Sequence, residues 1–169
     1  MLTGIFMFLS VMLAGQDAAM DQWVNAKYAQ MSETERLGQL FMIRAHSNLG
    51  PDHVKSVEDQ IRKYQVGGLC FFQGDGPKQA ALTNQYQGMS KVPMFISMDA
   101  EWGLGMRFKE KAISFPHQLT LGAIQENWLI YDMGKEIAKE MLRIGAQVNF
   151  APVVDVNNNA ANPVINDRS

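Results

Sequence analysis

Acidic and basic side chains directly follow an apolar run near the middle of the sequence. The run ends in Asp99 and Glu101, and Gly103, Gly105 and Arg107 come next. Carboxylates accept hydrogen bonds from hydroxyl groups and arginine donates several in a fixed fork, so this set suits a polyhydroxylated ligand. The glycines let the backbone turn sharply and approach that ligand. On residue types alone, Asp99 is more often a helix cap or a solvated residue of an ordinary loop than a ligand contact.

A second apolar run ends in the same way. Residues 147–154 lead into Asp155 and an asparagine-rich loop at 157–163, and the sequence then reaches Arg168. The carboxyl ends of parallel strands lie at one edge of a sheet. We therefore expect the polar groups that follow both runs to gather at that edge.

Apolar runs alternate with helical patterns along the whole chain. Ser32 and Glu35 form a capping-box pattern, Pro51 opens an amphipathic helix, and Asn127 is expected to cap a long helix that Gly145 ends. Two other helices are expected at residues 21–29 and 78–89. Four apolar segments are predicted strands: residues 40–43, 66–72, 93–98 and 147–154.

This alternation predicts the fold class α/β, because apolar strands separated by amphipathic helices form a parallel sheet covered by helices. Four βα units are about half of a TIM-type (β/α)8 barrel, which takes roughly 250 residues. We therefore expect the N-terminal half of such a barrel, incomplete and with two open strand edges.

The quoted stretches together resemble the N-terminal domain of glycoside hydrolase family 3, which includes β-N-acetylhexosaminidases and β-glucosidases. The resemblance extends from about Met31 to Ser169. The pieces that carry it are Met98-Asp99-Ala100-Glu101-Trp102-Gly103, Arg107-Phe108, Phe115-Pro116, Leu121-Gly122-Ala123, Asn149-Phe150-Ala151-Pro152-Val153-Val154-Asp155-Val156, Asn162-Pro163-Val164-Ile165 and Arg168-Ser169. An ordered series of this kind is far more specific than any one motif.

The resemblance implies roles for individual residues. It places Asp99 and Arg168 on the sugar of the −1 subsite, and Arg107 in the same substrate-binding loop. It implies that Glu101 and Asp155 support loops rather than touch substrate.

Trp102 is where the sequence departs from the cell-wall-recycling branch of the family. That branch usually has Glu-Gly-Gly-Arg where this chain has Glu101-Trp102-Gly103-Leu104. Trp102 either packs beneath the loop, which makes it a third loop-supporting residue, or stacks on a sugar.

No catalytic residue is assigned within the chain. Retaining glycosidases need a nucleophile and an acid/base, and the resemblance implies that both lie downstream of Ser169. His46, His53 and His117 match no family acid/base position. We therefore expect the N-terminal part of a glycoside hydrolase that removes terminal β-linked sugars, favouring N-acetylglucosamine, with this segment inactive by itself.

Three alternatives stay open at this point. The sequence suits a non-catalytic or degenerate sugar-binding barrel fragment, or an enzyme of β-glucosidase-type specificity. It also suits an unrelated barrel enzyme that uses Asp99 and Glu101 as acid/base partners.

Composition narrows the possible partners. The 169 residues carry a formal net charge of −2 with no basic stripe, which argues against nucleic acid. No metal-ligand cluster or nucleotide-binding glycine pattern occurs, so no metal and no cofactor is expected. The expected partners are a carbohydrate substrate and the C-terminal remainder of the barrel. Cys70, the only cysteine, lies in an apolar run and is expected to be a buried, unreactive thiol.

The first residues have the pattern of a targeting segment. Residues 4–15 are an apolar block that is too short for a comfortable membrane span, although no Lys or Arg precedes it. We expect a signal peptide at 1–16, a helical lead-in at 17–30 and the partial barrel domain at 31–169. The protein is then secreted or periplasmic, without stable membrane insertion after cleavage.

Overall fold

The computed structural model describes residues 18–169, so the expected signal peptide at 1–16 lies outside the described residues. Helix α1 covers residues 18–30. Helix α2, Glu33–Gly38, begins at the predicted capping box: the Glu35 amide donates to the Ser32 hydroxyl, and the Ser32 amide donates back to the Glu35 carboxylate at 2.9 Å. Within the described residues, no helix is long and apolar enough to cross a bilayer.

Four parallel strands form one sheet. They are β1 (Met42–Ala45), β2 (Gly68–Phe71), β3 (Phe95–Met98) and β4 (Val148–Asn149). The spatial order is β1-β2-β3-β4, and every neighbouring pair is parallel. Strand order that follows chain order without a reversal is the arrangement of a (β/α)8 barrel, whereas a doubly wound sheet reverses direction at its centre.

The long helices fill the intervals between strands. They are α3 (Pro51–Tyr64), α4 (Gly76–Gln87) and α7 (Asn127–Arg143). Helix α4 begins two residues earlier than predicted because the Asp75 carboxylate accepts from the Lys78 amide at 3.2 Å and caps it there. The predicted cap at Asn127 was wrong: Asn127 is the first helical residue, and Glu126 holds the cap position without a side-chain hydrogen bond.

Three of the four predicted strands were too long, above all the fourth. Residues 147–154 were expected to be extended, but the ladder to β3 ends at Asn149. Pro152 has no N–H to continue it, and β4 pairs on one side only among the described residues. The first strand lies two residues later than predicted, since Leu40 is in a turn and Phe41 is strongly exposed.

The core lies between the sheet and its helices. Leu69, Phe71, Ile96 and Met98 on the central strands are fully buried. The helices contribute Val57, Ile61, Leu82, Tyr86, Ile137 and Met141. Val57 and Ile61 come from the apolar face of α3 that the sequence pattern indicated.

Two irregular segments follow β3 and β4. The β3 loop, residues 99–117, contains α5 (Gly105–Phe108) and a 3-10 turn at Lys109–Lys111 and leads into α6 (Gln118–Leu121). The β4 loop, residues 150–169, ends in a 3-10 turn at Asn166–Arg168. Both begin at the carboxyl edge of the sheet, where the sequence placed the site.

Candidate functional site

Asp99 is held at the end of β3 by Arg107. The Arg107 guanidinium donates from Nη2 to the Asp99 carboxylate at 2.9 Å and from Nε to the Asp99 carbonyl at 2.7 Å. It also lies 4.6 Å from the centroid of the Phe72 ring. The side chain of Arg107 is 7% exposed and that of Asp99 is 34% exposed. The arginine therefore supports the site from beneath, while the carboxylate stays accessible to a ligand.

A second ion pair joins the two loops. Arg168 donates to both oxygens of Glu101, from Nη2 at 2.6 Å and from Nε at 2.9 Å, and its Nη1 donates to the Val164 carbonyl. Glu101 is 1% exposed and Arg168 is 27% exposed. This bidentate geometry fixes the plane of the guanidinium. Glu101 therefore anchors Arg168, which retains an exposed surface.

The acidic surroundings keep Arg168 charged. Its pKa is raised first by the hydrogen bonds to Glu101, and burial opposes this only in part. The charges of Glu101, Asp99 and Asp155 act in the raising direction. The charge of Asp99 thus acts on Arg168, although 69 positions separate the two residues in the sequence.

Asn149 fixes the start of the β3 loop, and the sequence interpretation gave it no role. Its side-chain Oδ1 accepts from the Ala100 amide at 3.0 Å, and its Nδ2 donates to the Ala100 carbonyl at 3.3 Å. The primary amide therefore imitates a strand partner for Ala100, next to Asp99. An amide at the end of an apolar strand was the available signal, because such a group needs polar partners once it is partly buried.

Two glycines of the β3 loop are required by close packing. Gly103 has φ +81°, and a Cβ there would lie 2.8 Å from the Phe115 ring. A Cβ on Gly105 would lie 2.7 Å from Cα of Ser114. The loop thus folds back on residues 113–115, and the Phe115 amide donates to the Trp102 carbonyl at 3.0 Å.

Trp102 packs against a histidine rather than standing free. Its ring centroid lies 4.2 Å from that of His117, and the two planes are tilted by 37°. His117 Nδ1 in turn lies 2.8 Å from a carboxylate oxygen of Asp167. Aromatic packing and a side-chain hydrogen bond therefore connect the β3 loop to the residue beside Arg168.

Two histidines lie at the end of β1, near Phe72. The His46 ring stacks on Phe72 with centroids 5.7 Å apart, and the His46 amide donates to Nε2 of His53 at 3.0 Å. Burial is the main cause that lowers the pKa of both imidazoles, and the charge of Arg44 acts in the same direction. His53 therefore serves as a neutral acceptor, as the hydrogen bond from the His46 amide requires.

The remaining residues singled out from the sequence lie as follows. Asp155 is exposed, and its main-chain carbonyl accepts from the Ser169 hydroxyl at 3.0 Å. Cys70 is partly buried, and burial is the main cause that raises the pKa of its thiol. Within residues 18–169, no group of three His, Cys, Asp or Glu side chains could hold a metal ion. The substrate-binding assignments of Asp99, Arg107 and Arg168 stay predictions.

Comparison with known proteins decides the family. Residues 32–169 match the model of the glycosyl hydrolase family 3 N-terminal domain. The chain belongs to this family. Beta-hexosaminidase A of Pseudoalteromonas piscicida is 37% identical over 125 residues, and beta-N-acetylglucosaminidase/beta-glucosidase of Cellulomonas fimi is 29% identical over 147 residues. These matches cover 67% and 87% of this chain.

Solved structures place this family 3 domain among barrel proteins. A family 3 beta-N-acetylglucosaminidase from Paenibacillus superposes with a TM-score of 0.71 at 30% identity, over 82% of this chain and 27% of the other. A beta-glucoside phosphorylase superposes with a TM-score of 0.77 at 23% identity, over 88% and 26%, which shows the fold alone. The fold is therefore α/β, with a parallel sheet that forms part of a TIM-type barrel.

The chain is short beside its relatives. It spans 21% of the Pseudoalteromonas protein and 25% of the Cellulomonas protein. It therefore corresponds to only part of the domain architecture that these relatives have.

Proposed function

We propose that this chain is the N-terminal part of a glycoside hydrolase that removes terminal β-linked sugars, favouring N-acetylglucosamine, by a retaining mechanism. The nucleophile and the acid/base come from residues that follow this segment. The observation that carries the proposal is the accessible Asp99 carboxylate, fixed by Arg107 at the carboxyl edge of the sheet. Both arginines and Asp99 belong to the segment that matches the family model.

The chemistry of the site suits a sugar. A terminal sugar presents neighbouring hydroxyl groups in fixed directions, and one carboxylate can accept hydrogen bonds from two of them. Arg107 keeps Asp99 oriented, so little freedom is lost when the sugar binds. Arg168 supplies donors for a hydroxyl or carbonyl oxygen, while Glu101 fixes the plane of its guanidinium.

These contacts would contribute to catalysis through differential binding. A retaining glycosidase passes through an oxocarbenium-like transition state, and hydrogen bonds to ring hydroxyls strengthen as it forms. Asp99 would therefore lower the barrier without touching the scissile bond. Glu101 cannot readily act as the acid/base, because its buried carboxylate is fully engaged by Arg168.

The preference for N-acetylglucosamine rests on the relatives. The names of the Pseudoalteromonas and Paenibacillus proteins refer to hexosaminidase or N-acetylglucosaminidase activity, and the name of the Cellulomonas protein also includes beta-glucosidase. β-Glucosidase-type specificity is therefore the second candidate, and a sugar-binding barrel without catalysis is the third.

Completion of the barrel would supply the missing groups. β1 and β4 are the outer strands of the described sheet, and each can accept one more parallel neighbour. Exposed apolar side chains lie beside both edges: Leu40, Phe41, Leu142 and Phe150. We propose that the C-terminal remainder of the barrel covers them. We also propose that the protein is exported, since residues 4–15 have the pattern of a signal peptide.

The test is an assay of the full-length protein beside this segment alone. Hydrolysis of aryl β-N-acetylglucosaminide by the full-length protein, and none by residues 17–169, supports the proposal. Faster hydrolysis of aryl β-glucoside supports the second candidate. Sugar binding without turnover by the full-length protein supports the third. Turnover by the isolated segment that disappears in Asp99→Asn would instead assign catalysis to Asp99 itself.

A further inference from the structure

The β4 loop depends on side chains to hold its position. Beyond Phe150, whose amide donates to the Met98 carbonyl, the described loop has no strand pairing, and most of its residues are exposed. Within the described chain, its side-chain hydrogen bonds to other elements are those of Arg168 with Glu101 and of Asp167 with His117. Both partners belong to the β3 loop.

His117 is well placed to orient the Asn166–Arg168 turn. An ionised carboxylate can only accept, so the 2.8 Å contact requires that Nδ1 of His117 carry a proton and donate to Asp167. Trp102 packs on the imidazole and limits its rotation. Asn166 has φ +38°, and Asp167 and Arg168 follow it in one tight turn, so a shift of Asp167 moves Arg168.

We propose that His117 and Asp167 are positioning residues that hold Arg168 in place for substrate binding. This inference rests on the proposed function, in which Arg168 contacts the terminal sugar. The ion pair with Glu101 fixes the guanidinium, and the pair of His117 with Asp167 fixes the backbone that carries it. Together they hold the arginine at two points.

Matched substitutions at one position separate this role from simple packing. His117→Asn keeps a donor close to the position of Nδ1, whereas His117→Gln moves its amide to the position of Nε2 and loses the contact with Asp167. His117→Gln, His117→Ala and Asp167→Ala should each raise KM about three- to tenfold with a smaller change in kcat, because the pair is partly exposed and only the placement of Arg168 is affected. His117→Asn should recover most of the loss.

The experiment uses the full-length protein with aryl β-N-acetylglucosaminide, and it includes the double variant His117→Ala/Asp167→Ala. The double variant should cost no more than either single variant, as expected for two residues that act as one unit. Asp59→Ala is the matched control, because it also removes an exposed aspartate from a side-chain pair, here with Lys55 on α3 and away from the two loops. It should leave KM unchanged.

The outcomes are separable. A full-length wild type that does not hydrolyse the glycoside overturns the proposed function; if it still binds the sugar, the Kd values of the same variants are compared in place of KM. An active wild type whose KM stays within about 1.5-fold in both Asp167→Ala and His117→Gln overturns this inference alone. Equal losses in His117→Asn and His117→Gln would also overturn it, because then only the imidazole packing matters. If a His117 variant fails to fold, Asp167→Ala still tests the proposal, because the Asp167 side chain is largely exposed and its removal should not prevent folding.

Discussion

Replacing Asp99 by Ala in the full-length protein should impair both sugar binding and stability. The substitution removes the proposed acceptor for sugar hydroxyls and one partner of Arg107. The guanidinium of Arg107 keeps the Asp99 carbonyl, 2.7 Å from Nε, and the face of Phe72. Arg107 therefore loses its ion pair but keeps its other two contacts.

The two effects have different sizes. Hydrogen bonds to charged groups contribute about 1.5–3 kcal/mol, so one lost sugar contact should lower kcat/KM roughly 10- to 150-fold. Arg107 is nearly buried but its partner is one-third exposed. The cost in the free energy of unfolding should therefore lie between the values for exposed and buried pairs, at about 1–2 kcal/mol.

Steady-state kinetics and thermal unfolding measure the two effects separately. Because hydroxyl contacts tighten in the transition state, kcat should fall as well as KM rise. Asp132→Ala on α7 is the matched control, since Asp132 forms an exposed ion pair with Lys135 on the same helix. If Asp99→Ala keeps kcat/KM within about twofold of wild type while the fold stays intact, Asp99 is not in the sugar subsite and the site is wrongly assigned.

Three further predictions concern export, association and pH. The exported protein should lack residues before about Asp17, and a mature mass that includes Met1 would contradict this. Residues 17–169 expressed alone should associate through the open edges of β1 and β4, and a monomeric peak in size-exclusion chromatography with cooperative unfolding would count against it. His53→Gln should flatten the loss of stability in acid. The lowered pKa of His53 means that the unfolded chain binds a proton more tightly than the folded protein does. The neutral His53 side chain therefore stabilises the fold fully above the ordinary histidine pKa of about 6.5, and this contribution is lost as pH falls through the lowered pKa. Denaturant unfolding between about pH 7 and 5 tests this, and an unchanged pH slope would refute it.

The sequence predicted the existence of the elements better than their ends. The capping box at Ser32 and the stop at Gly145, which has φ +79°, follow from local chemistry and were confirmed. The extent of β4 depends on which neighbour pairs with it, and an apolar run through Val154 carries no such information. The apolar run therefore predicted the wrong C-terminal end for β4, because strand pairing in the folded protein sets that end.

The position of Asp99 in the fold was predictable from the sequence, whereas the pairings of the loop residues around it were not. The placement of Asp99 at a strand end follows from the apolar run before it. The contact of Glu101 with Arg168 links residues 67 positions apart, through a loop whose path no local pattern specifies. The same is true of His117 with Asp167, which lie 50 positions apart.

The bond between Asn149 and Ala100 has a practical consequence for building hybrid enzymes. The side chain of Asn149 holds both main-chain polar groups of Ala100, so the loop that presents Asp99 takes its position from the strand that follows it. A recombination point placed after Phe150 would transfer that loop together with its support. With a junction between Arg143 and Val148, the strand after the junction comes from another protein and must form the same two hydrogen bonds. If that strand has no asparagine at the position of Asn149, the loop that presents Asp99 loses both hydrogen bonds at Ala100.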